Sequence, residues 1–188
     1  MIKNKKIIAI ILLILTIFSS ISPIVLATEI SEANIQDRGK VEQHLQYWNE
    51  DQGAWYYVTT TYTTYSVNGR EYPAYCLNRE YAGVGELDGY TVDVNTDVTS
   101  VLGNAQVWRT VINGFPYKSA SQLGLANDLE AFQATKQAVY CALYGFDPTT
   151  RFRGADQGAD SRGDAIKNAI VNIVNAGKYG TQRPSDPK

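Results

Sequence analysis

Two segments far apart in the sequence constrain this chain more than anything else in it. Tyr75-Cys76-Leu77-Asn78 closes a strand-like stretch, and Ala134-Thr135-Lys136-Gln137-Ala138-Val139-Tyr140-Cys141 lies in a helix-like one. A fold that joins them brings a thiol on a β element against a helix that carries a carboxamide. A cysteine and a glutamine held in near-attack geometry are the reactants of a Cys–Gln thioester, which forms as ammonia leaves.

The start of the chain places this chemistry outside the cell. Lys3, Lys5 and Lys6 precede an apolar run from Ile7 to Phe18, and Val25-Leu26-Ala27 offers a small-residue cleavage site. This is the pattern of a secretory signal peptide over residues 1–27. Ser19, Ser20, Ser22 and Pro23 interrupt the apolar run, so a removed leader is expected rather than a retained anchor. No membrane contact is expected after cleavage. The mature chain from Thr28 suits one domain.

Cleavage removes three lysines from a chain of formal charge −2. No basic stripe remains, so nucleic acid is not an expected partner. The only cysteines are Cys76 and Cys141, and an even count in an exported protein first suggests a disulfide. His44 is the one histidine, which excludes a multi-histidine metal cluster. No Cys-x-x-Cys, His-Glu-x-x-His or EF-hand pattern occurs, and no cofactor is expected.

Residues 28–49 read as an N-terminal lead-in: 28–40 is polar and aperiodic, and 41–48 forms a turn of helix or an irregular strand. The domain proper is expected over 50–178, and 179–188 reads as a linker or tail. Ala54 to Val67 has a strand's composition of Trp, Tyr, Thr and Val. Asn68-Gly69 then signals a hairpin. Arg70 to Leu77 is the return strand, and Pro73 marks it as an edge or a bulge. Gly83, Gly85 and Gly89 make a loop with no helix opening after it, which excludes a dinucleotide site, and Tyr90 to Val94 alternates like a strand. Ala105 to Ile112 reads as a helix that stops at Asn113-Gly114.

The helix that carries the chemistry starts at Asn127, with Glu130 at capping-box spacing. Leu129, Phe132, Lys136, Val139, Tyr140 and Leu143 share one face, and Gly145 ends the helix. Phe146 to Gly163 reads as a Gly-, Asp- and Arg-rich loop. Asp164 to Ala176 is a second amphipathic helix with Ala165, Ile166, Ala169, Ile170, Ile173 and Val174 as its apolar stripe and Gly177 as its cap. The fold class is therefore α+β, with a mostly antiparallel β part and a helical part.

In this order and spacing the motifs resemble the thioester domains of Gram-positive bacterial surface proteins. Tyr75-Cys76 matches that family's aromatic-Cys motif. Thr135, Ala138, Val139 and Tyr140 match the frame of its Thr-Gln-x-Ala helix, and Asn113-Gly114-Phe115-Pro116-Tyr117 is similar to its intervening segment. The likeness covers roughly residues 50 to 176. It implies a secreted or cell-surface adhesin domain with an internal thioester. The implied partner is an amine, as a lysine on a protein or as a polyamine, on a host or neighbouring surface. Each thioester is consumed once, so no turnover enzyme is expected.

An ungapped match sets Lys136, not Gln137, at the family's glutamine. At about 100° per residue Lys136 lies at the centre of the apolar face, and Gln137 about a quarter turn away. Only a carboxamide supplies an acyl group by losing ammonia, so the site is assigned to Cys76 and Gln137. Gln133, one turn earlier on the Gln137 side, is the further choice. Two other functions stay open. One is a non-covalent binding module of the same fold, stapled by a Cys76–Cys141 disulfide and lacking the thioester. The other is a secreted cysteine hydrolase with His44 as its base.

Overall fold

The β part is built from short strands whose partners lie far apart in the sequence. The structure, a computed structural model, describes residues 35–67, 69–77, 79 and 105–183. The expected signal peptide, the loop at Gly83 to Gly89 and the strand at Tyr90 to Val94 lie outside these residues. One sheet has the order β1-β4-β5, from β1 (Ile35–Lys40), β4 (Thr61–Val67) and β5 (Arg70–Pro73). The other has the order β3-β2-β6, from β2 (Leu45–Asn49), β3 (Ala54–Tyr57) and β6 (Phe152–Gly154). All pairings are antiparallel.

The hairpin forms as the sequence predicts, except that its return strand ends at Pro73 and not at Leu77, so Cys76 lies beyond the strand. Val67 pairs with Arg70, and Gly69 takes φ +74°, the left-handed conformation that a tight primed turn requires. Pro73 sits on an edge strand, where its missing N–H breaks no ladder.

Three expectations are corrected. Ile35–Lys40, read as part of a mobile lead-in, is a strand on β4, with Ile35 opposite Tyr65. Its pairing comes from a distant partner and leaves no period in its own residues. The single strand expected over Ala54 to Val67 is two strands in different sheets. The chain crosses between them at Val58 to Thr60, where Val58 N–H donates to Leu45 O (2.9 Å) and Val41 N–H donates to Thr60 O (2.9 Å). The loop expected over Phe146 to Gly163 is ordered as α3 (Pro148–Arg151), β6 and α4 (Ala155–Gly158). Asp147 caps α3 by accepting from Thr149 N–H, and Phe152 carries β6 into the core.

Three longer helices complete the core: α1 (Ala105–Ile112), α2 (Asp128–Tyr144) and α5 (Ser161–Tyr179). In α2, Asn127 accepts from Glu130 N–H (2.9 Å), as expected of the cap. The reciprocal bond is displaced, because the Glu130 carboxylate accepts from Ala126 N–H (2.9 Å). α2 is buried nearly all round rather than on one stripe, with Ala131, Gln133, Ala134 and Thr135 as enclosed as Phe132. The alanines let α1 and α5 approach closely, and Ile166, Ile170 and Ile173 of α5 fill the space beside them.

Helix α5 begins at its Asp160 cap, earlier than expected, and runs on through Gly177 to Gly180. Gly177 is not a cap but a point of contact. A Cβ there would collide with Thr110 Oγ1 of α1.

Candidate functional site

The hairpin delivers the chain onto α2. Ala74 N–H donates to Thr63 O (2.8 Å), extending the β4–β5 pairing by one bond. Tyr75 then stacks on Phe132 with centroids 4.8 Å apart and rings 13° from parallel. Its hydroxyl donates to Phe115 O (2.5 Å). Phe115 N–H in turn donates to Thr135 Oγ1 (2.8 Å), and Thr135 donates to Ala131 O (2.8 Å). Thr135 thus ties the segment after α1 to the middle of α2. Gly114 lies so close to Thr135 that any side chain there would strike it. Burial holds the Tyr75 phenol far above its ordinary range, so it acts only as a donor.

Cys76, half-buried, follows directly. It neighbours buried Tyr140 of α2, whose phenol is held well above its ordinary value by burial first and by the nearby sulfur second. Farther along, Tyr144 Oη donates to Leu77 O (3.0 Å) and accepts from Arg79 N–H (3.5 Å). The Arg79 guanidinium lies over Phe146, 5.0 Å from its centroid, and Arg151 lies 4.3 Å from the same ring. Tyr75, Cys76 and Leu77 therefore follow α2 in its own direction, beside Phe132, Tyr140 and Tyr144 in turn.

One candidate acyl-site position lies on this track and the other beside it. Lys136 fills the four-residue row between Phe132 and Tyr140, and Gln137 lies one turn before Tyr140. Both are half-buried. Gln133 is fully enclosed and committed elsewhere. Its amide donates to Val58 O (3.3 Å) and Thr60 Oγ1 (3.2 Å), bracing the crossing between the sheets.

The two cysteines are not joined to one another. Cys141 follows Tyr140 by one residue, which turns it about 100° around α2 from the Cys76 side. It is buried, and burial pushes its thiol up to about 12. The structure therefore contains no Cys76–Cys141 disulfide staple.

His44 is not available as a base for Cys76. Its Nδ1 bonds Asp160 (2.6 Å) and its Nε2 bonds Glu42 (2.8 Å), so both ring nitrogens are engaged. Arg162 joins this cluster by donating to Glu42 (2.8 Å) and to the buried carboxylate of Glu130 (2.8 Å through Nε). The network clamps the β1–β2 connection to the starts of α2 and α5.

That clamp makes stability depend on pH. The hydrogen bonds to Asp160 and then Glu42 raise His44 above its ordinary 6.5. Its contribution is therefore complete below 6.5 and is lost as pH rises through the higher folded value. Glu42 is held below its ordinary 4.5 by the bond from His44 and by Arg162. Its contribution is present above 4.5 and is lost on acidification. The melting temperature should be higher at pH 6 than at pH 8, and His44→Asn should abolish that difference. An unchanged difference in the variant would assign it to other groups.

Among the described residues no helix is long and apolar enough to cross a membrane, and no cluster fit for a metal ion occurs.

The sequence model of the thioester domain family matches residues 73–178, a stretch that begins two residues before Tyr75 and ends near the close of α5. This chain belongs to the thioester domain family. Two solved structures share the fold. The thioester domain of the Enterococcus faecium TIE86 protein aligns with a TM-score of 0.63 at 20% identity, over 81% of this chain and 52% of that one. The Bacillus anthracis TIE protein aligns with a TM-score of 0.59 at 19% identity, over 80% of this chain and 25% of that one. This thioester domain thus spans about half of the first structure and a quarter of the second. A search of curated proteins finds no match.

Sequence reasoning singled out Cys76 and the helix but did not anticipate that Tyr140 and Tyr144 neighbour the Cys76 segment. The four-residue row Phe132, Lys136, Tyr140, Tyr144 was the available signal, since such a row is one continuous ridge of a helix.

Proposed function

We propose that this thioester domain is exported and captures an amine-bearing target covalently. The Cys76 thiol attacks the Gln137 carboxamide carbon, the C–N bond breaks, and ammonia leaves with the thiol proton. An amine on the target then attacks the thioester carbonyl and the C–S bond breaks. The products are an amide on Gln137 and the Cys76 thiol. A lysine on a protein, or a polyamine, on a host or neighbouring surface supplies the amine. Each domain reacts once, so it acts as an adhesive and not as a turnover enzyme. The observation that supports this reading is the fixing of the residues on either side of Cys76 to α2, Tyr75 on Phe132 and Leu77 on Tyr144, which brackets the turn that carries Gln137.

One observation favours a second reading. The row through Phe132 and Tyr140 places Lys136 on the Cys76 track, and a lysine cannot be acylated by loss of ammonia. In that case the domain binds its partner non-covalently.

Methylamine decides between them. In the covalent reading it adds once to the folded mature domain, the adduct maps to the Gln137 peptide, and one new thiol appears at Cys76. Cys76→Ala prevents the addition. A domain that takes up no methylamine and survives with its full sequence mass is the non-covalent module.

A further inference from the structure

The sheet β3-β2-β6 turns one face to the core and the other away from it. Leu45 and Phe152 lie in the core, with Tyr47 packed against it. Strand alternation then sets Gln46 and Trp48 of β2, Trp55 and Tyr57 of β3, and Arg153 of β6 on the opposite face. Among the described residues β3 has a neighbouring strand on one side only.

The register fixes which backbone groups face the open side of β3. Val58 N–H donates to Leu45 O, and Tyr57 and Trp55 stand opposite Gln46 and Trp48. Hydrogen-bonded and non-hydrogen-bonded pairs alternate along an antiparallel ladder, so these two pairs are of the second kind. The N–H and C=O groups of Trp55 and Tyr57 therefore turn away from β2. The close approach of such a pair agrees with the edge-on contact of Trp48 and Trp55, 5.4 Å between centroids. Native sheet edges are commonly guarded by charge or proline. Ala54-Trp55-Tyr56-Tyr57 has neither, and Tyr57 is 43% exposed.

A cation is held beside this edge. Arg153 Nε–H donates to Gln46 Oε1 (2.9 Å), and the guanidinium carbon lies over Trp55, 4.4 Å from the ring centroid. The side chain of a β6 residue thus reaches across β2 to β3. Among the described residues these are its contacts, and neither is an acid. Glu50, on the turn that joins β2 to β3, faces Arg151 instead (3.7 Å). The fork of Arg153, whose shape suits a carboxylate, therefore has no carboxylate against it.

We propose that the open edge of β3 docks an extended acidic peptide as an added strand. The backbone of Trp55 and Tyr57 pairs with the peptide. A peptide residue directly opposite Trp55 carries its side chain on the same face, so an aspartate or glutamate there meets Arg153. Backbone pairing supplies affinity, and the carboxylate supplies choice. An acidic sugar would satisfy the arginine but has no backbone ladder to offer the edge. The site is distinct from Cys76 and does not depend on the covalent reading.

The test titrates a capped hexapeptide of alternating threonine and glutamate into the mature protein and follows backbone amide shifts by NMR. The shifts should centre on Trp55 and Tyr57. Replacing glutamate by glutamine in the peptide should weaken binding about tenfold, the size expected for a charge-assisted hydrogen bond. Arg153→Gln should erase that preference, so that both peptides bind it alike. N-methylation at the glutamates should abolish binding, whereas at the threonines it should not, because only residues opposite Trp55 and Tyr57 turn their N–H toward β3. Cys76→Ala should bind the peptide as the parent does.

Equal binding of the glutamate and glutamine peptides to the parent would overturn the proposal, as would equal loss from either pattern of N-methylation. A parent that takes up neither peptide, or that takes up oligogalacturonate at these residues in their place, would overturn it too. The peptide comparisons use the parent alone, so they decide the matter even if Arg153→Gln loosens the sheet.

Discussion

Gln137→Ala should return the mature domain to its full sequence mass, while the parent and Lys136→Ala are each lighter by one ammonia. The effect is all or none, because the thioester needs a carboxamide nitrogen to expel and alanine has none. Lys136→Ala removes a side chain that cannot be acyl donor, so it leaves the deficit in place. The reciprocal substitution is equally informative. Lys136→Gln puts a carboxamide into the four-residue row between Phe132 and Tyr140. In the non-covalent reading the parent has full mass and this variant alone gains the deficit. A deficit that persists in Gln137→Ala would move the acyl group to Gln133 and overturn the assignment. Gln133 is poorly suited to that role, since both bonds from its amide hold the crossing at Val58 and Thr60.

Phe132→Ala should destabilise the domain by about 3–5 kcal/mol, the range for removing a buried aromatic ring from a core. The ring has no exposed surface and packs against Tyr62 and Tyr75, each at 4.8 Å between centroids. Its loss leaves a cavity where β4, the Cys76 segment and α2 meet. For a domain of this size each kcal/mol lowers the melting temperature by roughly 2–4 °C, so a fall on the order of 10 °C is expected by calorimetry. Tyr75 loses its stacking partner in the same change, so the capture rate should fall even at temperatures where the variant remains folded. A fall below about 1 kcal/mol would mean that the site refills by collapse, against the close packing seen around it.

The helical part was legible because its signals are local. The caps Asn127 and Gly145 and the stripe Ile166, Ile170, Ile173 act within a few residues, and the structure places each where its chemistry requires. The end of α5 was misread because Gly177 carries the same mark as a cap, and only the neighbouring Thr110 shows that it is a point of close approach. The strands were half legible. The Asn68-Gly69 turn encodes its own register, but Ile35–Lys40 and Phe152–Gly154 are strands only because β4 and β2 lie beside them. In the candidate site, Cys76 and its helix followed from residue type and order. The phenols of Tyr140 and Tyr144 did not, because a tyrosine in a helix reads as packing until the segment that it touches is known.

The match to the family begins at Pro73, yet β1, β2, β3, β4 and all of β5 but Pro73 precede it. In the structure β5 has β4 as its neighbour and β6 has β2. A chain cut at the family boundary would keep every described helix, but it would leave β6 without β2 and only Pro73 of β5. Bare backbone donors and acceptors along β6 would then be open to pairing with other molecules. The boundary recognised in sequence therefore falls inside both sheets, whose strands reach back to Ile35.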